Sequence, residues 1–459
     1  MSARERARAA LAGRRVGVIG LGREGLALSR FLLSIGADVV VTDDKPLGAL
    51  APAAHELGDG VALHAGGLYP GVLETDLCFV SPGVPLDRPE LLSARANGVP
   101  LWNETGLFLW LCSAPSVGIT GSSGKSTTTA LVAGMAAEAG RRVHLGGNIG
   151  RPLIGCIDEI QADDLVVMEL SSFQLELMRQ SPTFAAVTNL TPNHLDRHHT
   201  MAAYVAAKRH IFAHQRAHDV TVLNADCRLS LALAEDCPGQ VHWSGRRAGC
   251  GPGAHLAGDT LVLRRSAGES DRLCSRDELR LVGEHNVDNA LCACALAGAI
   301  GLPSNAIRRA LVAFAGLPHR LEVVAEVGGV TYINDSIATA PERSLAAVRS
   351  MRSPVVLLAG GRDKDLPWEE WSAEVARCVR AVVSFGEMGS RIVALLAGRG
   401  VTVRQASGLD EAVRLAQGLA RPGDVVLLSP GGTSFDEFRD FEARGERFRQ
   451  LVHASREDG

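Results

Sequence analysis

The chain has 459 residues, 46% of them hydrophobic and 21% charged, with a formal net charge of −4. This length exceeds one ordinary hydrophobic core and predicts roughly two to four domains. The balanced charge argues against a polyanion-binding surface, and no run of about 18 apolar residues offers a membrane-spanning helix.

The ten cysteines are scattered without a C-x-x-C pair, Cys292 and Cys294 standing closest. Reduced thiols in a cytosolic protein are therefore expected, rather than a disulfide scaffold or a metal cluster. Met1-Ser-Ala-Arg-Glu-Arg-Ala-Arg8 is charged and lacks the apolar core of a secretory signal, so none is expected.

The first predicted elements form a βαβ unit. Arg15-Val-Gly-Val-Ile19 reads as a buried strand, a glycine turn and a helical run to Ser34 follow, and Ala37 to Asp43 reads as a second strand. Leu77-Cys-Phe-Val-Ser-Pro-Gly83 is a further strand ending in a turn. The turn Gly20-Leu-Gly-Arg-Glu-Gly25 matches G-x-G-x-x-G, and Asp43 or Asp44 stands roughly 20 residues on, where a ribose hydroxyl could be met. The pattern fits a dinucleotide, another nucleotide diphosphate, or tight strand–helix packing with no ligand.

Val117-Gly-Ile-Thr-Gly-Ser-Ser-Gly-Lys-Ser-Thr-Thr-Thr129 is the most informative stretch. A short apolar strand leads into a glycine-rich turn, and Lys125 opens a helix running to about residue 139. In such a loop Gly121, Ser122, Ser123 and Gly124 turn backbone N–H groups toward phosphate oxygens, at the positive end of the helix. Lys125 would reach the terminal phosphates, the Ser126 hydroxyl would ligate Mg²⁺, and Thr127 completes the motif. The spacing is unusual: Gly118 comes one place early and Ile119 holds the expected glycine position.

Further strands are predicted at 165–170, 184–189 and 220–224, alternating with helices, which argues a mostly parallel sheet covered on both faces. Glu169 ends the first of these, where a carboxylate opposite a phosphate loop makes a second Mg²⁺ contact or merely caps the next helix. The loop Asn189-Leu-Thr-Pro-Asn-His-Leu-Asp-Arg-His-His199 lies on the same sheet edge. It raises His194 as a candidate, with His198 and His199 read as surface residues. Lys208 falls on the helical run 201–212, and spacing alone favours a solvated lysine. Residues 244–280 are glycine-rich and read as an irregular β excursion, after which Gly283 precedes another helix. The third segment opens near Leu317-Pro-His-Arg320, with strands at 330–334, 355–359, 381–385 and 425–429.

Several strings together resemble the Mur ligases of peptidoglycan synthesis, and within them the glutamate-adding branch. They are Gly118-Ile-Thr-Gly-Ser-Ser-Gly-Lys-Ser-Thr127, Gly146-Gly-Asn-Ile-Gly150, Glu169-Leu-Ser-Ser-Phe-Gln-Leu-Glu176, Asn193-His-Leu-Asp-Arg197 and Ala206-Ala-Lys208. Leu317-Pro-His-Arg320, Asn334-Asp-Ser336, Gly360-Gly361 with Lys364, and Leu428-Ser-Pro430 with Ser434-Phe-Asp-Glu-Phe438 follow in the expected order. The family's phosphate loop carries the same unusual spacing. A folylpolyglutamate synthase or another Mur-type ligase would share the phosphate loop and the lysine, but not the Glu169–Glu176 string or this N-terminal segment.

The resemblance implies three consecutive α/β domains: a Rossmann-like N-terminal domain (1–106) for the UDP part of the substrate, a P-loop central ATPase domain (107–317), and a Rossmann-like C-terminal domain (318–459) for the amino acid. Leu21, Gly22, Arg23, Glu24, Asp43 and Gly83 would hold UDP rather than a nicotinamide cofactor. Asn148, Ser171, Gln174 and His194 would position the muramoyl-peptide end. Asn286, Asn289, His319, Arg320 and Asp335 would contact ATP. Thr339, Lys364, Ser434 and Phe441 would shape the amino-acid site. Ser126 and Glu169 would hold one Mg²⁺, and His194 with Lys208 a second, the lysine being carbamylated in the family.

The activity implied is ATP-driven amide formation. The alanyl carboxylate of UDP-N-acetylmuramoyl-L-alanine takes the γ-phosphoryl group, and the amine of glutamate attacks the resulting acyl phosphate. Lys125 and Arg320 would neutralise the transferring group, and closure of the third domain would exclude water. A monomer acting on small molecules is expected, with no nucleic acid and no membrane insertion. Two departures fall in the amino-acid pocket. Ile337 stands where the glutamate-adding branch commonly has lysine, leaving Lys364, Arg343 or Arg362 to compensate, and Ser429-Pro-Gly-Gly-Thr-Ser434 carries glycines where alanine or cysteine is usual. D-glutamate is the favoured substrate and L-glutamate the alternative.

Overall fold

The computed structural model describes residues 1–247, 249–266, 269–281 and 283–457, and among these it holds three sheets, of five, nine and six strands. The three consecutive α/β sheets expected from the sequence are all present. They fall into two compact units: Met1–Leu279 with Glu284–Phe314, which contains the first two sheets, and Arg280–Gly283 with Ala315–Gly459, which contains the third.

The first sheet comprises β1 (Arg15–Ile19), β2 (Asp38–Asp43), β3 (Ala62–Ala65), β4 (Leu77–Val80) and β5 (Leu101–Trp102), all parallel in the order β3-β2-β1-β4-β5. Beyond Arg15, β1 is buried throughout, as expected of a parallel strand covered on both faces. Strand order reverses between β1 and β4, so the ends of these two strands open a crevice at a topological switch point. The helix Arg23–Ser34 starts at once because Gly25 lets it approach the strand: a Cβ there would lie 2.0 Å from the carbonyl oxygen of Gly20.

The second sheet comprises β6 (Ser116–Thr120), β7 (Val143–Gly147), β8 (Leu165–Glu169), β9 (Phe184–Val187), β10 (Val220–Asn224), β11 (Gln240–Gly245), β12 (Gly253–Ala257), β13 (Thr260–Ser266) and β14 (Glu269–Ser275), in the order β14-β13-β12-β11-β10-β9-β6-β8-β7. Strands β6 to β12 are parallel, and β13 and β14 add antiparallel partners at one edge. The β excursion near 244–280 thus continues the sheet, and its irregularity among the described residues is confined to register shifts between β13 and β14. The two-residue turn Gly258-Asp259 reverses the chain between β12 and β13, although residues 248, 267 and 268 of that stretch lie outside the described residues. The helix Glu284–Ile300 is buried over most of its length and packs on the helix Lys125–Glu138. Its Ala290, Ala293, Cys294 and Ala297 keep it thin enough to lie close. One hydrophobic cluster runs from the first sheet into the second through Leu107, Phe108, Leu153, Ile154 and Met168, which is why both sheets form one unit.

The third sheet comprises β15 (Glu322–Val327), β16 (Val330–Asn334), β17 (Val355–Gly360), β18 (Ala381–Phe385), β19 (Thr402–Gln405) and β20 (Val425–Gly431), in the order β15-β16-β20-β17-β18-β19. It is parallel apart from the β15–β16 hairpin. No described helix is long and apolar enough to cross a membrane.

Candidate active site

The phosphate loop occupies the exit of β6. Gly124 stands at φ 78°, a left-handed conformation open to glycine, and a Cβ there would come within 2.0 Å of Asn289 Oδ1. Asn289 in turn donates from Nδ2 to Asn286 Oδ1 at 3.0 Å, so the structure brings both asparagines to the loop from the helix Glu284–Ile300. The loop is braced from the β9 exit. Ser122 N donates to Asn189 O at 2.9 Å, Ser122 Oγ donates to Thr191 O at 2.9 Å, and Ser123 N donates to Asn189 Oδ1 at 3.0 Å. Lys125 curls back so that Nζ donates to Gly121 O at 3.1 Å. Ser126 and Thr127 are buried in the first helical turn.

Opposite the loop, Glu169 is buried at the end of β8. Ser126 Oγ donates to its Oε2 at 2.6 Å and Asn148 Nδ2 to its Oε1 at 2.8 Å. A serine hydroxyl and a carboxylate held together are the hard oxygen donors that Mg²⁺ takes. Among the described residues no group of three or more His, Cys, Asp or Glu side chains is gathered, and Mg²⁺ in nucleotide sites takes one or two carboxylates and completes its shell with phosphate and water.

Lys208 is not a solvated helix lysine. Its side chain is 1% exposed, and Nζ donates to Thr120 Oγ1 at 3.1 Å and to Gly121 O at 2.9 Å. Burial, reinforced by the nearby charge of Lys125, lowers it to about 6, Glu169 opposing. That environment favours the neutral amine over the ammonium. A run of rings connects it to His194. Tyr204 faces Lys208 Nζ at 4.8 Å and leans on His198 at 5.3 Å, His198 stacks on Phe173 at 5.2 Å, and His194 meets Phe173 edge-on at 5.1 Å. His198, expected at the surface, is buried because Phe173 covers it and Ser172 Oγ and Glu176 hold its two nitrogens at 2.9 and 3.3 Å. His199 is exposed, as expected.

The switch-point crevice of the first sheet is a cleft of about 420 Å³ lined by Gly22, Arg23, Glu24, Asp43, Gly83 and Asn148 among others. Leu21 is buried behind it. Asp43 serves the turn itself, its Oδ2 accepting from Leu21 N at 2.7 Å and its Oδ1 from Lys45 N at 2.8 Å. Elements of the second sheet close the far side. Arg23 donates to Gly150 O at 3.1 Å, Arg197 lies over Phe173 and donates to Gly83 O at 3.4 Å, and Gln174 Nε2 donates to Glu24 Oε1 at 2.9 Å. Ser171 and Gln174 form a reciprocal cap, Gln174 N donating to Ser171 Oγ and Ser171 N to Gln174 Oε1. Asn148 therefore touches both Glu169 and the cleft.

In the second unit, His319 sits at φ 62° and its Nδ1 meets Asn334 Nδ2 at 3.0 Å. Arg320 follows it, with its N–H on Leu317 O. Asp335 is buried and pushed up to about 7, chiefly by burial, while Ser429 Oγ donates to it at 2.8 Å. Lys364 Nζ donates to Thr339 Oγ1 at 3.2 Å, so these two predicted amino-acid contacts meet. Burial and then Arg343 lower Lys364. Arg362 is committed to Glu387 by two bonds of 2.9 and 2.7 Å. Phe441 lies edge-on to His319, and Ser434 is buried. Sequence reasoning missed Arg444. This buried guanidinium donates to the carbonyls of Ser336, Gly432 and Thr433 and clamps the 334–336 and 431–434 loops together. Its position in the run Phe441-Glu-Ala-Arg444 on a charged helix gave no sign of burial.

A phosphate loop facing a strand-end carboxylate, with a switch-point cleft on an adjoining parallel sheet, is the arrangement of a phosphate-loop nucleotide-binding enzyme. Comparison with known proteins narrows the class. Residues 14–103 match the Mur ligase MurD-like N-terminal domain, 119–297 the Mur ligase middle domain, and 319–432 the Mur ligase glutamate ligase domain. A protein of Symbiobacterium thermophilum named UDP-N-acetylmuramoylalanine–D-glutamate ligase is 42% identical over 96% of this chain and 98% of its own length. One of the same name from Acidobacterium capsulatum is 40% identical over 97% of each. Among solved structures, the UDP-N-acetylmuramate–alanine ligase of Thermotoga maritima shares the fold with a TM-score of 0.58 at 20% identity, covering 96% of this chain and 100% of that one. The chain belongs to the Mur ligase family of ATP-dependent amide ligases.

Proposed function

We propose that the chain joins D-glutamate to the alanyl carboxylate of UDP-N-acetylmuramoyl-L-alanine, converting ATP to ADP and phosphate. The observation that carries this reading is the continuity from cleft to phosphate loop: Asn148 lines the first and bonds Glu169, and Glu169 bonds Ser126 of the second. A nucleotide-linked substrate lying in the cleft would extend its free carboxylate toward the γ-phosphate. The names of the relatives support D-glutamate. The alternative is L-glutamate, because Ile337 removes a cation from the amino-acid pocket. The free thiols support a reducing compartment, and we place the enzyme in the cytoplasm, acting as a monomer.

In this reading the carboxylate oxygen bonds to the γ-phosphorus and ADP leaves. The glutamate amine then attacks the acyl carbon, loses a proton, and phosphate departs with the oxygen it received. Backbone N–H groups of 121–124 and Lys125 hold the phosphates, with Thr127, Asn286 and Asn289 shaping that end of the site. Arg320, His319 and Asp335 are read as further ATP contacts. Leu21 to Glu24, Asp43 and Gly83 are read as UDP contacts, with Asn148, Ser171, Gln174 and His194 beyond them. Thr339, Lys364, Ser434 and Phe441 are read as glutamate contacts. Ser126 and Glu169 would hold Mg²⁺, whose charge would lower the repulsion between carboxylate and phosphate. A second ion is read on His194 and Lys208. The neutral Lys208 amine is the form that adds CO₂: a bond forms from Nζ to carbon and one proton is released, leaving a carboxylate.

The test is an isotope experiment. With ¹⁸O in the alanyl carboxylate, one label should appear in the phosphate released when ATP and D-glutamate are present. Unlabelled phosphate with product formed would overturn the acyl-phosphate route.

A further inference from the structure

Glu24 is an unusual side chain for a phosphate-binding turn. It lies between Arg23 and Gly25 at the start of the helix that the turn feeds, and it lines the cleft. An ionised carboxylate there would face the negative charge of any bound diphosphate across a few ångströms of poorly screened space. Behind it, Glu24 and Glu104 line the same small void of about 10 Å³. Glu104 is buried at the head of the helix Glu104–Leu111, its Oε1 accepting from Ile154 N at 3.1 Å. A relay of polar groups joins the two acids. Gln174 Nε2 donates to Glu24 Oε1 at 2.9 Å and also reaches Thr105 Oγ1 at 3.4 Å, and Thr105 Oγ1 donates to Glu104 Oε2 at 3.3 Å. Glu24 Oε2 is buried with no hydrogen-bond partner. That environment suits a carboxylic acid and penalises a carboxylate.

We propose that Glu24 is a proton-carrying specificity residue: it admits the diphosphate of a nucleotide substrate to the switch-point cleft while its carboxyl is uncharged, and Glu104 behind it keeps the proton in place. This rests on the reading of the cleft as a nucleotide-diphosphate site. Two buried acids in contact with one void do not both ionise readily. Burial first, and then the charge of Glu104, push Glu24 up to about 8, with Gln174 and Arg23 opposing. Burial raises Glu104 as well. The other charged or titratable groups around the pair are Cys156, beside Glu104, and Asp43, Lys45 and Arg88, across the cleft. Arg88 is paired with Asp44 at 2.8 Å. The sign follows: protonated Glu24 prevails below its raised value, so nucleotide binding is strong at neutral pH without proton exchange and weakens as pH rises through it, binding above it taking up a proton.

The test is titration calorimetry of the full chain with UDP-N-acetylmuramoyl-L-alanine, without ATP, between pH 6.5 and about 9 in buffers of different ionisation heat, which counts protons directly. For the wild-type chain we expect little proton uptake at pH 6.5, uptake approaching one by about pH 9, and affinity falling toward tenfold per pH unit above about 8. E24Q, permanently neutral, should bind without that uptake and with a flat profile. E104Q, which removes the neighbouring charge, should move the fall to lower pH, a shift that a purely structural role would not produce. Binding at about pH 9 with no proton uptake by the wild-type chain, or equal profiles for wild type and E24Q, would overturn the proposal and leave the cleft reading standing. No binding at any pH would remove the cleft reading and the proposal together. The proton count on the wild-type chain decides the matter even if a variant does not fold.

Discussion

Lys208 shows how far a single residue departs from what its sequence neighbours imply. A lysine near the end of an alanine-rich helix looks solvated, yet Tyr204 one turn earlier and the loop carbonyl of Gly121 enclose it. Its lowered value gives a pH prediction with a definite sign. The neutral amine exists above about 6, so the reaction with CO₂ is lost as pH falls through that value. Carbon-13 NMR of the protein in labelled bicarbonate should show a carbamate signal at pH 7.5 that vanishes by about pH 5 and is absent from Lys208→Arg. Lys208→Ala should lower kcat on the order of 10²-fold or more. A signal that persists in Lys208→Arg would place the modification elsewhere. His198 teaches the same lesson, since its burial depends on Phe173 and Glu176, contacts no local pattern announces. The phosphate loop, by contrast, was legible because its chemistry is contiguous: strand, glycines, lysine and serine lie within thirteen residues of one another.

At the scale of elements, the strands and helices were readable because apolar runs and glycine turns are local signals. Which helix would touch the loop was not. The contact between Gly124 and Asn289 spans strands β7 to β14 in sequence, and the missing side chain at Gly124 makes it possible. Gly124→Ala should therefore both strain the left-handed backbone, at about 1–2 kcal/mol, and push Asn289 away. We expect a lower melting temperature and a KM for ATP raised severalfold, with the affinity for the UDP substrate unchanged. An unaltered KM for ATP would show that the asparagine does not support the loop. The β12–β14 extension was read as irregular because its glycines hide a two-residue turn between β12 and β13, while the register shifts between β13 and β14 keep part of that irregularity.

For the molecule as a whole, three α/β sheets in series were legible from repeated strand–turn–helix patterns. The merging of the first two into one unit was not, because the shared core is assembled from Leu107, Phe108, Ile154 and Met168, residues far apart in the chain. That merging brings the switch-point cleft and the phosphate loop into one unit with Asn148 between them, while Lys364, Thr339 and the clamp at Arg444, which the proposed function reads as the amino-acid side, lie in the second. The central claim is that this arrangement makes an amide bond to D-glutamate despite Ile337. It is tested most directly by phosphate release from ATP with UDP-N-acetylmuramoyl-L-alanine, run in parallel with D- and L-glutamate. Release that requires D-glutamate is the predicted result; release with L-glutamate alone, or with neither, would contradict it.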